Sequence, residues 1–401
     1  MSSAFLHGNL EEEVYMKLPL GHPQSSDPNL VYQFHKSIYG LKQSPRAWHA
    51  QLSVVLEDSG FKRSNADSSL FIHLGPMAKV MFLVYVDDLI IVGNDSDAIS
   101  HLKATLQKRF PIKDLGNLKY FLGIEIAISH KGLFLNQHKY VLDLLKDAKM
   151  IDAKPAPIPL DSKLKLKTTS EPLGSINYYQ HLVGRLIYLT ITRPDITYAV
   201  SLVSQFMHTP IVFHLNLVKR ILCYLKGSAG RGIVMTNHGH TQITGYRDSD
   251  WAGNAIDRKS TTGFCMFVGG NLVSYRSKKQ HIVAHSSAEV EYHAMTFTTY
   301  ELIWLKGLLS NLGFSSSIPM TLFCDNQATL HIAANPVFHE RTKHIEVDCH
   351  FIHQQVHSQV IKTCYICSHD QLPDLFTKVL TSAHFHHLLS KLGSINPLDP
   401  A

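Results

Sequence analysis

Apolar residues run along this chain in two different periods. Val80-Met81-Phe82-Leu83-Val84-Tyr85-Val86 is a continuous β-branched and aromatic stretch that predicts a buried strand. Asp87-Asp88 interrupts it and Leu89-Ile90-Ile91-Val92-Gly93 resumes it, which predicts a hairpin carrying acids at its tip. Leu102, Leu106 and Phe110, spaced by four, predict a helix over 97–110. Residues 118–126 read as a further strand and 137–149 as a short helix. The Pro-, Ser- and Lys-rich run 154–175 predicts a linker, and 177–227 reads as helices interrupted near Pro194 and Pro210.

A new pattern begins near residue 241. Residues 242–246 and 263–284 read as strands. A long helix over 287–311 opens at Ser286-Ser287 with Glu289 close behind, a capping signature. A strand at 320–324, helices at 326–334 and 346–356, a strand at 360–367 and a last helix at 373–392 follow. Strands first, then strand alternating with helix, is the order of a mixed α/β domain.

The 401 residues are enough for two or three domains with real cores, and 45% hydrophobic with 17% charged residues describes a globular chain. Six cysteines make no disulfide scaffold. The start MSSAFLHGNLEEE has no secretory pattern, and the longest uncharged stretch, 196–218, contains Gln205, His208, Pro210, His214 and Asn216. The expectation is therefore an intracellular protein, cytoplasmic or nuclear, without a membrane span. The net charge of +6 is unevenly spread. Residues 1–100 carry −4, residues 101–300 carry +12 and residues 301–401 carry −2. A basic middle suits a polyanion such as nucleic acid, and equally a solvated surface.

Four acids sit at the ends of separate predicted elements: Asp248, Glu291, Asp325 and Asp374. Converging carboxylates repel by about 1 kcal/mol per close pair in water and about 4 kcal/mol at a surface-like dielectric, so such a cluster needs cations. Paired Mg²⁺ ions answer that need, and roughly 4 Å apart they support phosphodiester hydrolysis. Acids at helix starts also serve as caps and dipole partners, so spacing alone leaves both readings open.

Longer motifs extend the picture. Tyr85-Val86-Asp87-Asp88, Tyr39-Gly40-Leu41-Lys42-Gln43-Ser44-Pro45-Arg46-Ala47-Trp48 and Phe121-Leu122-Gly123-Ile124-Glu125-Ile126 resemble the reverse transcriptase of copia-type (Ty1/copia) retrotransposon polyproteins. So do Thr192-Arg193-Pro194-Asp195-Ile196 and the run Lys219-Arg220 to Gly227. Asp248-Ser249-Asp250-Trp251-Ala252-Gly253, Ser277-Lys278-Lys279-Gln280, Ser286-Ser287-Ala288-Glu289-Val290-Glu291-Tyr292, Cys324-Asp325-Asn326-Gln327 and Gln371-Leu372-Pro373-Asp374-Leu375 resemble the ribonuclease H domain of the same polyproteins.

The resemblance implies an α/β (α+β) chain in four parts. These are a palm remnant at 1–130, a mostly helical thumb or connection at 131–240, a ribonuclease H-like mixed-sheet domain at 241–380, and a helix end and tail at 381–401. It implies that Asp248, Glu291, Asp325 and Asp374 ligate two Mg²⁺ ions (or Mn²⁺) for hydrolysis of the RNA strand of RNA–DNA hybrids. Glu291 rather than Glu289 takes the second place because it precedes Tyr292-His293-Ala294, and Asp250 is the nearest competitor to Asp248.

In the polymerase half Asp87 would be a metal ligand and Asp88 its neighbour. Lys42, Gln43 and Arg46 would face template and nucleotide, and Lys219, Arg220, Lys278 and Lys279 the nucleic acid. The first polymerase aspartate of the family precedes the segment Ala4-Phe5-Leu6-His7-Gly8, so its position falls before Met1. The expectation is a chain whose polymerase site is incomplete, with a non-catalytic nucleic-acid-binding remnant as the alternative. Arg247, beside Asp248 where the family has a small residue, is expected to compete with a metal for that carboxylate. Cys364 and Cys367 with His339 and His344 mimic a zinc pattern, but the cysteines fall in a predicted strand and His344 in a ribonuclease H motif.

Overall fold

The computed structural model describes residues 4–24, 27, 29–75, 78–167, 169, 171–334 and 346–397. They form two compact units, residues 1–118 with 307–315, and residues 119–306 with 316–401.

In the first unit a 3₁₀ turn at Ala4–His7 leads into β1 (Asn9–Lys17), which pairs antiparallel with β2 (Val31–Lys36). Helix α1 (Ser44–Asp58) starts with a proline in its first turn, where the missing N–H costs nothing. Then β3 (Lys62–Arg63), β4 (Leu70–Leu74), β5 (Lys79–Tyr85) and β6 (Asp88–Gly93) form an antiparallel meander. Helix α2 (Ser96–Arg109) is capped by Asp95, whose carboxylate accepts from the N–H groups of Asp97 and Ala98. Trp48, Leu52 and Leu56 of α1 pack with Phe71, Val80, Phe82, Leu102, Leu106 and Phe110. The alternating burial of β5 confirms that one face of the sheet carries this core.

The second unit holds β7 (Tyr120–Phe121), β8 (Ile124–Ser129), β9 (Gly132–Asn136), α3 (His138–Asp147), α4 (Ile176–Leu189), α5 (Thr197–Ser204), α6 (Val212–Gly227) and β10 (Gly232–Met235). It continues with β11 (Ile243–Asp250), β12 (Thr261–Val268), β13 (Asn271–Lys279), α7 (Ser287–Asn311, of which 307–311 belong to the first unit), β14 (Met320–Cys324), α8 (Gln327–Ala334), α9 (Glu346–His357) and β15 (Ile361–Tyr365). Helices α10 (Asp374–Thr377) and α11 (Ser382–Lys391) and strand β16 (Ser394–Ile395) end it. One sheet runs β16-β10-β9-β8-β7 and the other β13-β12-β11-β14-β15. In the second sheet β11 is antiparallel to β12 but parallel to β14, and β14 is parallel to β15. The chain is thus a mixed α/β protein, as the apolar pattern indicates.

A buried ion pair joins two of the helices. Arg193 donates to Asp195 through Nε and Nη2, and to the Ser228 carbonyl through Nη1. Tyr224 donates its hydroxyl to Asp195 at 2.6 Å. Both charges are buried, and each is paired and hydrogen-bonded, which is the condition for keeping them out of water. The Thr192–Ile196 motif therefore locks the start of α5 to the end of α6.

Three expectations change in detail. The strand over 118–126 is a hairpin, because Leu122 and Gly123 take left-handed φ values of 48° and 80°. The apolar run 263–284 is also divided, at Gly269-Gly270, where φ values of 55° and 76° turn β12 into β13. The last helix breaks between Thr377 and Ser382, since Lys378 is extended and Thr381 opens a second helix. The run 154–175 is irregular as expected, but it does not hang free. Ile158 and Leu160 are buried and the Ala156 N–H donates to the Cys223 carbonyl on α6.

Candidate functional site

Parallel pairing of β11 with β14 sets the site. Gly245 lies opposite Leu322 and Tyr246 opposite Phe323, so both strands bring their carboxyl ends to one edge of the sheet. Asp248 lies near the end of β11 and Asp325 directly follows β14. Outside such strand ends is where open α/β sheets bind ligands. Asp374 opens α10 against them.

Strand alternation then sorts the side chains. A Cβ on Gly245 would meet Leu302 of α7, so Gly245 and Arg247 face α7, while Asp248 faces α10. Thr377 donates its hydroxyl to Asp248. Lys378 Nζ lies 2.8 Å from Asp374 Oδ1 and 3.6 Å from Asp248 Oδ2. Gln371 Nε2 donates to Asp325 Oδ1 at 3.3 Å and to the Arg247 carbonyl at 2.9 Å, and Ser368 Oγ donates to Asp325 Oδ2 at 2.8 Å.

Electrostatics couples these groups. Burial pushes the Asp374 carboxyl up to about 7, and the Asp248 charge adds to the rise; Lys378 opposes it and Asp325 reinforces it. Burial also raises Asp250, with Asp248 contributing. Around neutral pH the group holds a proton it would yield to a stronger cation. Asp248, Asp325 and Asp374 offer only oxygen donors, the class of ligand a hard divalent cation takes.

Glu291 does not join them. It makes a buried ion pair with Arg247, a fully buried residue whose Nη2 also donates to Cys324 Sγ at 2.7 Å. Arg247 thus competes for Glu291, not for Asp248 as its position in sequence suggests. Glu289 is a capping residue: its carboxylate accepts from the His285 N–H at 2.7 Å and its own N–H donates to Ser286 Oγ.

Among the basic residues named from sequence, Lys279 is committed to Asp257 at 2.7 Å and to Gln205 at 3.0 Å. Lys278 lies over the Phe297 ring at 5.2 Å. Arg220 is 4.0 Å from Asp161, and Lys219 is exposed on the same helix.

In the first unit Tyr85 pairs with Asp88, so Val86 and Asp87 form the two-residue tip of the β5–β6 hairpin. Val86 has φ of 54°, an unusual conformation for a β-branched residue, and Trp48 Nε1 donates to its carbonyl at 2.7 Å. That bond ties α1 to the tip. Lys42 and Arg46 are exposed at the start of α1, and Gln43 donates to Glu12 at 3.0 Å.

His369, Asp370 and His387 bring three metal-type ligand atoms within 4.8 Å of one another. Lys391 Nζ lies 2.6 Å from the Asp370 oxygen that His387 contacts at 3.0 Å, so an ammonium already pairs with that carboxylate. Lys391, His387 and His369 together hold the Asp370 carboxyl well below the usual range. His339 and His344 of the zinc-like pattern lie outside the described residues.

Sequence reasoning missed Lys378, Thr377, Gln371 and Ser368 as site residues. Lys378 had a legible signal, four residues after Asp374 on one helical face. Gln371 and Ser368 had none, since only tertiary folding brings them to Asp325.

Residues 1–162 match the family model described as reverse transcriptase (RNA-dependent DNA polymerase). The chain is 42% identical over 394 residues to a retrovirus-related Pol polyprotein from transposon RE1 of Arabidopsis thaliana, covering 98% of this chain and 27% of that protein. It is 30% identical over 306 residues to a transposon Ty5-1 protein of Saccharomyces cerevisiae, covering 75% of this chain and 99% of that one. This chain thus spans about a quarter of the length of the Pol polyproteins it matches. Among solved structures, a foamy viral protease-reverse transcriptase in complex with double-stranded DNA matches with a TM-score of 0.24 and 12% identity, covering 87% of this chain and 55% of that one.

Proposed function

This chain belongs to the copia-type retrotransposon Pol polyproteins, and from that premise we propose that its second unit hydrolyses the RNA strand of RNA–DNA hybrids with divalent metal ions. The observation that carries the reading is the convergence of Asp248, Asp325 and Asp374 on shared charge at one sheet edge. Mg²⁺ bound there, or Mn²⁺, would supply an activated water and stabilise the leaving oxygen. Asp248, Asp325 and Asp374 would hold it. Gln371 and Ser368 fix the Asp325 carboxylate, and Thr377 fixes that of Asp248. Lys378 offsets the negative charge of the metal-free cluster. Asp374, protonated below about pH 7, would have to lose that proton to hold the cation.

The partner is an RNA–DNA hybrid, met inside the cell. On the second unit the exposed Lys219 is a backbone contact, and on the first Lys42 and Arg46 would be, each within its own unit; Gln43, Arg220, Lys278 and Lys279 are engaged in internal pairings. In the first unit Asp87, at the β5–β6 hairpin tip, would be a polymerase metal ligand with Asp88 beside it. One observation favours the second reading, binding without cleavage: Glu291 is held by Arg247. A hybrid labelled in its RNA strand, incubated with and without Mg²⁺, separates the two. Mg²⁺-dependent cleavage supports hydrolysis; retention without cleavage supports a binding remnant.

A further inference from the structure

We infer that Arg247 acts as a resident cation that keeps Glu291 out of metal coordination, so that this chain binds one divalent ion through Asp248, Asp325 and Asp374 and is a slow nuclease for that reason. The inference rests on the carboxylate site read above, and it concerns how many ions that site takes.

Three observations carry it. Arg247 has no access to solvent, so its guanidinium cannot swing out to water. Its partners are internal: Glu291 through Nη1 and the Cys324 sulfur through Nη2. Glu291 is the one anion paired with Arg247 among the described residues. Releasing Glu291 to a metal would leave a buried guanidinium beside a thiol and next to the incoming dication. Breaking a buried pair in that way weakens binding of the ion that needs Glu291 by on the order of 100-fold or more.

Geometry separates the two halves of the site. Arg247 and Asp248 are neighbours on β11 and so project to opposite faces. Asp248 meets Thr377 and Lys378 on the α10 side. Glu291 meets Arg247 on the α7 side. A small residue at position 247 would leave Glu291 buried without a cation, and a metal ion would become the group that satisfies it.

The test is a Mn²⁺ titration of the full chain, read as bound ions per protein by electron paramagnetic resonance and as the metal-induced rise in unfolding temperature. The parent is expected to take up one ion in the range where Arg247→Ser takes up two. The double variant Arg247→Ser/Glu291→Gln is expected to return to one. Metal should raise the unfolding temperature more in Arg247→Ser than in the parent. Two ions of comparable affinity on the parent overturn the inference, and that measurement needs no variant to fold. One ion on a folded Arg247→Ser also overturns it. Hybrid cleavage is scored separately. Absence of cleavage in both parent and Arg247→Ser, with one and two ions bound, would refute the hydrolytic function and leave the role of Arg247 intact.

Discussion

Asp374 concentrates the chemistry of the site in one residue. Burial and the Asp248 charge push its carboxyl up to about 7, whereas in the unfolded chain it titrates near 3.8. Between those values the folded state holds the extra proton, so ionisation favours the unfolded chain and this group's contribution to stability declines as pH rises from about 4 to 7. Metal binding must expel the same proton. Calorimetric Mg²⁺ titrations of the parent should therefore show affinity rising with pH up to about 7, with proton release below it, and Asp374→Asn should remove both effects. Affinity independent of pH from 5 to 8 would place Asp374 outside the metal site. At this scale the sequence was uneven in what it revealed. Asp248, Asp325 and Asp374 were legible because each ends or opens an element. The engagement of Glu291 was not, because no spacing shows that Arg247 crosses from β11 to α7 and meets it.

Elements matter here through close approach. A Cβ on Gly263 of β12 would come within 2.7 Å of Thr377 Cγ2 and 2.9 Å of Phe376 Cβ, so α10 lies directly on that strand. Gly263→Ala should push α10 outward, carrying Thr377 away from Asp248, and should cost about 1–3 kcal/mol of stability. Gly184 in α4 is the control, since a Cβ there meets nothing. Gly184→Ala should stabilise by about 0.5–1 kcal/mol. Denaturant unfolding checks both, and equal effects would show that the contact between β12 and α10 is not tight. Element types were mostly readable from period. Boundaries failed where left-handed residues turned a strand, at Leu122-Gly123 and Gly269-Gly270, or where α10 stops at Thr377 so that Lys378 can reach Asp374. The docking of 154–175 was hidden by its composition, since Ile158 and Leu160, which bury it, have no periodic partner, and its backbone bonds to α6 leave no mark in the sequence.

For the whole molecule, charge and chemistry overlap only in part along the chain. The basic surplus falls in residues 101–300, which include Asp248 on β11, while the other two aspartates follow at the end of β14 and in α10. The first unit presents Asp87 at a hairpin tip braced by Trp48, with Asp88 opening the next strand.

Cleavage of a labelled RNA–DNA hybrid by the parent and by Asp325→Asn, in Mg²⁺ and with hybrid binding recorded in the same samples, tests the carboxylate site most directly. The account predicts slow, Mg²⁺-dependent cutting of the RNA strand by the parent. It predicts cutting at background level by Asp325→Asn, with hybrid binding retained. Equal cleavage by the two proteins, or binding by the parent without any cleavage, would contradict it.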